Sequence, residues 1–214
     1  MFLFYKNNDR TVNISDIELP RRLAHSFGSI LPFSYFILPE EHHVTLFFII
    51  LLVVGGVLEY IRLNHGFRVP GLQRLTRPYE QEKVAGYYLY ICGCVIVWFV
   101  FSPVIAVTAM LLLAFCDPIG GILSTATVDE AKQAHVLVIV AVVGSCISYL
   151  LLTSHVTYAP IIALVGGVGA ALADAYKLSI RGYIVDDNLV IPVFSAVLMV
   201  TTYVILTGTL LVKF

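Results

Sequence analysis

Two acidic stretches interrupt an otherwise apolar chain: FCDPIGG at Phe115–Gly121, and a longer segment from Asp174 to Pro192. Four carboxylates, Asp117, Asp174, Asp186 and Asp187, fall where hydrophobic runs end. A carboxylate at or inside a membrane segment is costly and generally has a partner, an ion or a job. Oxygen ligands at the mouth of a helical bundle suit a hard cation carrying phosphate, so these four are candidate magnesium ligands. On a helix, Asp117, Gly120, Gly121 and Ser124 recur at i, i+3, i+4 and i+7, which makes one face small and polar. Missing side chains at Gly120 and Gly121 let a phosphate approach the backbone closely while the carboxylate holds the metal. The plainer reading is a helix end closed by glycines, with Asp117 as a solvated terminal residue.

The second stretch carries more. Asp174 and Lys177 are expected as helix neighbours at i, i+3, followed by a short basic loop with Arg181. Asp186, Asp187 and Asn188 then precede an apolar run with Pro192 in its first turns. One acid there would serve as an ordinary N-cap. Two aspartates and an asparagine exceed what a cap needs. A basic group completes the set: Arg21, Arg22 and His25 in RRLAH, Glu59 and Arg62 one helical turn apart, and then Arg77. Glu59 with Arg62 also reads as a plain ion pair, Arg21 and Arg22 as membrane anchors, and His25 as a structural histidine. Arginines match phosphate oxygens and divalent cations bridge those oxygens to aspartates, the parts phosphoryl transfer requires. Neither a Walker A motif nor a kinase glycine-rich loop is present.

The elements that must position these groups are membrane helices. Apolar residues make up 59% and charged residues 13% of 214, with mean hydropathy +0.90, which suits one compact membrane-embedded bundle. The composition predicts an all-α fold of about seven transmembrane helices, near 23–38, 44–61, 84–101, 104–123, 136–153, 159–177 and 190–212. Residues 1–22 form an N-terminal segment and 23–214 a single domain. With the N-terminus in the cytoplasm, every Lys and Arg of the 13 except Lys213 lies inside, a strong positive-inside bias. Among the acids only Glu40 and Glu41 then lie outside. One face is ionic and the other nearly bare, which favours a site open to the cytoplasm over a transport path. A short surface helix is expected between Arg62 and Lys83. The four cysteines, Cys92, Cys94, Cys116 and Cys146, lie in apolar runs and are expected as buried free thiols. A net charge of −1 gives no basis for nucleic-acid binding.

In order and spacing these motifs resemble the CTP-dependent polyprenol kinase family, which includes dolichol kinase, phytol kinase and the CTP-dependent diacylglycerol kinase. The resemblance runs from RRLAH at Arg21–His25 through EYIR at Glu59–Arg62 and RPYE at Arg77–Glu80. It continues with Asp117-Pro118, Gly120 and Gly121, and ends in Asp174 and DDNLVIP at Asp186–Pro192, its most specific piece. Cys116 stands where the family carries glycine, Asp174 where it often carries glutamate, and no GRxxGK loop follows Gly121. The resemblance implies a membrane-embedded lipid-alcohol kinase that moves the γ-phosphate of CTP, or another nucleotide, to a polyprenol, a phytol-like alcohol or diacylglycerol. It implies magnesium on Asp117, Asp174, Asp186 and Asp187, with catalysis by Asp117, Asp187 and, as a further base, His25. It implies nucleotide or phosphate contacts from Arg62, Arg77, Gly120, Gly121, Lys177 and Asn188. The alternatives are a CDP-lipid synthase, which would release pyrophosphate, and a non-catalytic membrane protein or small transporter.

Overall fold

A computed structural model describes residues 25–66, 76, 80–124, 131–180 and 183–210. After a helical turn at residues 25–27 come α1 (Ile30–Ile37), α2 (Glu41–His65), α3 (Gly86–Val100), α4 (Pro103–Leu123), α5 (Ala134–Leu152) and α6 (Ala159–Ala175). A two-residue antiparallel pairing of Ser179–Ile180 (β1) with Tyr183–Ile184 (β2) then leads into α7 (Asp187–Thr207). Among the described residues the regular structure is therefore helical apart from that small hairpin. Four helices, α2, α4, α5 and α7, are long and apolar enough to cross a membrane; α3 and α6 are apolar but shorter. The described part of the first expected span is broken. Gly28 and Ser29 turn the chain, and the eight residues of α1 rise only about 12 Å, well short of a hydrocarbon core of about 30 Å.

Each boundary has a local cause. The α2 helix ends on Gly66 at φ 63°, a left-handed position that a residue without Cβ adopts freely. Both α4 and α6 start with proline in the first turn, where its missing N–H has no helical partner to lose. Asp186 caps α7 by accepting the backbone N–H of Asn188 at 3.0 Å. The expected surface helix between Arg62 and Lys83 falls mostly on residues outside the described set.

The α4 helix is the axis of the bundle and touches α1, α3, α5, α6 and α7. In its best membrane-length window 72% of the residues are buried, against 22% for α2. Glycines set the closest crossings. A Cβ at Gly167 of α6 would run into the backbone and hydroxyl of Ser145 on α5, and one at Gly166 would press on Met199 of α7. Small residues at such contacts let helices gain dispersion and Cα–H contacts that lipid cannot supply. The buried indole of Trp98 on α3 donates to the Thr45 hydroxyl on α2 at 2.9 Å and tilts against Phe48. Cys94 and Cys116 are buried, Cys92 is half-buried, and Cys146 faces outward from α5; all four are free. The expectation of burial fails for Cys146 because its face of α5 is turned away from the neighbouring helices.

Candidate functional site

Alternating helix directions carry the C-terminal ends of α2, α4 and α6 and the N-terminal ends of α3, α5 and α7 to one end of the bundle. The polar groups gather there. All four described Lys and Arg residues, Arg62, Lys83, Lys132 and Lys177, sit at this end, while Glu40 and Glu41 open α2 at the other.

Asp117, Asp174 and Asp187 lie close enough for their charges to act on one another. Each has a cationic or imidazole neighbour. Asp174, almost fully buried, is bound by the ammonium group of Lys132. Asp187 accepts from Lys177 at 2.5 Å. His25 brings Nδ1 to 3.2 Å from Asp117 Oδ2, with the side chains of both largely covered. The expected helical pair of Asp174 with Lys177 does not form. The α6 helix stops at Ala175 and Tyr176 is extended (φ −118°, ψ 122°), so Lys177 leaves the helical surface and swings to α7 instead. Lys132, 42 residues from Asp174 in sequence, takes the vacated place.

Gly120 does what its spacing suggested, but for a carboxylate. A Cβ there would collide with Asp174 Oδ2 and lie 3.1 Å from the Lys132 ammonium nitrogen. The missing side chain lets the α6 acid lie directly on α4. Gly121 is half-buried one residue on, and α4 continues to Leu123 despite Pro118 within it.

Asn188 is wedged between α7 and α3. Its Nδ2 donates to Asp186 Oδ1 at 2.6 Å, which fixes the amide so that Oδ1 points the other way. That oxygen is buried and has no hydrogen-bond partner among the described residues. Gly86 and Gly93 on α3 make the seat: a Cβ at Gly86 would stand 3.2 Å from Asn188 Nδ2 and 3.3 Å from Glu80 Oε1, and one at Gly93 would overlap the Asn188 carbonyl. The buried Glu80 therefore joins the same wall. Asp186 itself is committed to the cap and to the Asn188 amide.

Arg62 is fully engaged with protein. Its Nε and one terminal nitrogen hold Glu59 at 2.8 and 2.7 Å, and its other contacts go to the carbonyls of Glu80 (3.1 Å), Gln81 (3.3 Å) and Lys83. Glu59 in turn accepts from the Ala85 N–H at 2.7 Å and the Tyr87 hydroxyl at 2.5 Å. This knot fixes the strand of chain that enters α3 and so positions the Asn188 seat. Arg21, Arg22, Arg77 and Arg181 lie outside the described residues.

Two groups escaped the sequence reading. Lys132 lies in a polar connection with nothing to mark it. Tyr90 reads as one more aromatic in YYLYICGC, yet its ring meets the His25 ring edge-on at 5.0 Å and its hydroxyl is buried, within reach of the Asp117 charge, without a hydrogen-bond partner among the described residues. Among those residues no three His, Cys, Asp or Glu side chains are grouped so as to hold a metal ion. Compared with protein-family models, curated proteins and solved structures, the chain matches none.

Proposed function

We propose that this protein is a membrane-embedded phosphotransferase that moves the γ-phosphate of CTP, or another nucleotide, to the hydroxyl of a lipid alcohol. The observation that carries this reading is the electrostatic coupling of Asp117, Asp174 and Asp187 at one end of an apolar bundle, where Asn188, next to Asp187 in the chain, keeps a buried Oδ1 with no hydrogen-bond partner among the described residues. A buried acceptor without a donor costs about 1–3 kcal/mol, and mutually repelling carboxylates add to that cost. A hard cation relieves both. The oxygen types suit magnesium, and side-chain rearrangement from their present positions would have to bring Asp117, Asp187 and Asn188 to it, with Asp174 and Asp186 supporting. Bound there, magnesium would supply charge neutralisation for the transferring phosphoryl group.

The chain's own residues supply the rest. Lys132 and Lys177 already lie along the acids, so their ammonium groups need only exchange a carboxylate for a phosphate oxygen when nucleotide enters. They take over the phosphate-gripping task foreseen for Arg62, which instead holds the 80–85 segment in place; Arg77 keeps its proposed role at the nucleotide. His25, with Nδ1 3.2 Å from Asp117 Oδ2, is disposed to take the acceptor's proton. Nearby fixed charges in a poorly hydrated site are worth more than in water.

The test is a screen of purified protein with CTP and other nucleotides against polyprenol, phytol and diacylglycerol, identifying products by mass. CDP with a phosphorylated lipid is expected. Pyrophosphate with a CDP-lipid would replace this reading by the synthase, and no lipid product from any pair would remove catalysis. The ionic end should face the cytoplasm, with the N-terminus on that side. A cysteine introduced at position 41 of a cysteine-free background should react with an impermeant reagent from outside sealed cells, and one at position 132 should not. The reverse pattern would invert the topology.

A further inference from the structure

Tyr90 is 5% exposed, and its hydroxyl has no hydrogen-bond partner among the described residues. Buried hydroxyls are normally satisfied, so an unpaired one calls for an explanation. Its surroundings supply one. The ring lies edge-on to His25 (5.0 Å, 86°), which itself stands 3.2 Å from Asp117. The chain closes over the hydroxyl at Gly28, where a Cβ would come within 2.7 Å of the phenol oxygen. The glycine lets the backbone pack directly against the phenol end of the ring, so the hydroxyl is covered by chain that carries no polar side chain of its own at that point.

The chemistry of the neighbours narrows the ligand. Asp117 and Asp187 only accept when ionised, and Lys132 and Lys177 only donate as cations, but Tyr90 is neutral and does both. It lies one helical turn further into α3 than Gly86. An anion would be repelled there by Asp117. A hydroxyl at the end of a hydrocarbon chain suits the position: it accepts from Tyr90 while offering its own hydrogen to the His25–Asp117 pair.

We infer that Tyr90 is the acceptor-binding residue of the site, holding the hydroxyl oxygen of a long-chain alcohol whose chain stays among the helices. This inference rests on the kinase reading above for its reaction, but not for its binding test. Full-length wild type and Tyr90→Phe in phosphatidylcholine nanodiscs would be melted against 1-hexadecanol and, separately, hexadecane, without nucleotide. The alcohol should stabilise wild type and the alkane should not. The Tyr90→Phe protein, isosteric and relieved of an unpaired hydroxyl, should melt no lower unliganded yet bind the alcohol about 5- to 10-fold more weakly. Equal responses of wild type to alcohol and alkane, or a wild-type alcohol response in Tyr90→Phe, would overturn the assignment. Stabilisation by CTP with magnesium, read on the same samples, separates the two claims. If that response is absent while the alcohol effect persists, the kinase reading falls and the alcohol site stands; the opposite result removes the alcohol site alone.

Discussion

Asparagine in place of Asp117 or Asp187 is expected to lower turnover about 100-fold or more while leaving the unliganded protein at least as stable as wild type. The two acids and Asp174 act on one another's charge, so removing one negative charge relieves repulsion in the empty site. Lys177, released from Asp187, is partly exposed and can be hydrated. Asn at 117 still offers an oxygen to His25. Stabilisation by CTP with magnesium should fall sharply in both variants, because a ligand raises stability only through its affinity for the folded state. A purely structural role forecasts otherwise. Asp186, not Asp187, makes the side-chain cap of α7, and asparagine caps about as well as aspartate. Melting curves with and without the nucleotide and magnesium decide between the two. Wild-type ligand stabilisation and turnover in both variants would mean that the acids serve only the fold.

The other large effect lies in stability. Arg62→Ala should cost about 3–5 kcal/mol, because it strands a carboxylate that is nearly inaccessible to water. Glu59 would keep the Ala85 N–H and the Tyr87 hydroxyl but lose two guanidinium contacts, and the carbonyls of Glu80, Gln81 and Lys83 would each lose a guanidinium donor, that of Glu80 keeping the Lys83 N–H. Glu59→Gln in the same background should recover a large part of the loss, since a neutral amide carries a smaller desolvation cost. Chemical unfolding in mild detergent measures both. A change below about 0.5 kcal/mol in Arg62→Ala, within the usual range for surface sites, would show that the knot is dispensable.

Much of this architecture is legible in the chain because bilayer thickness constrains it. Apolar runs bounded by Gly, Pro and acids locate α2, α3, α4, α5, α6 and α7 to within a few residues of the structure. The first expected span is not recovered, because hydropathy averages over the turn at Gly28 and Ser29. The acids were found for a physical reason: a carboxylate amid apolar sequence stands out. Their partners were not. Lys132 reaches Asp174 across 42 residues, and whether Lys177 pairs with Asp174 or Asp187 turns on a single extended residue, Tyr176. Tyr90 is invisible for a third reason: its significance is a hydroxyl without a hydrogen-bond partner among the described residues, and satisfaction is a property of packing that a sequence does not display.

The contrast between the enclosed α4 and the outlying α2 bears on how such a chain can change over generations. A residue on the outer side of α2 meets only bilayer, so Leu, Ile, Val and Phe are nearly interchangeable there. A residue on α4 sits in a helix packed against five others and has few permitted replacements. Mutational drift should therefore erase the written record of descent fastest in α2, while the letters around Asp117 persist, so ancestry in a protein built this way is carried by its axis and its ionic end.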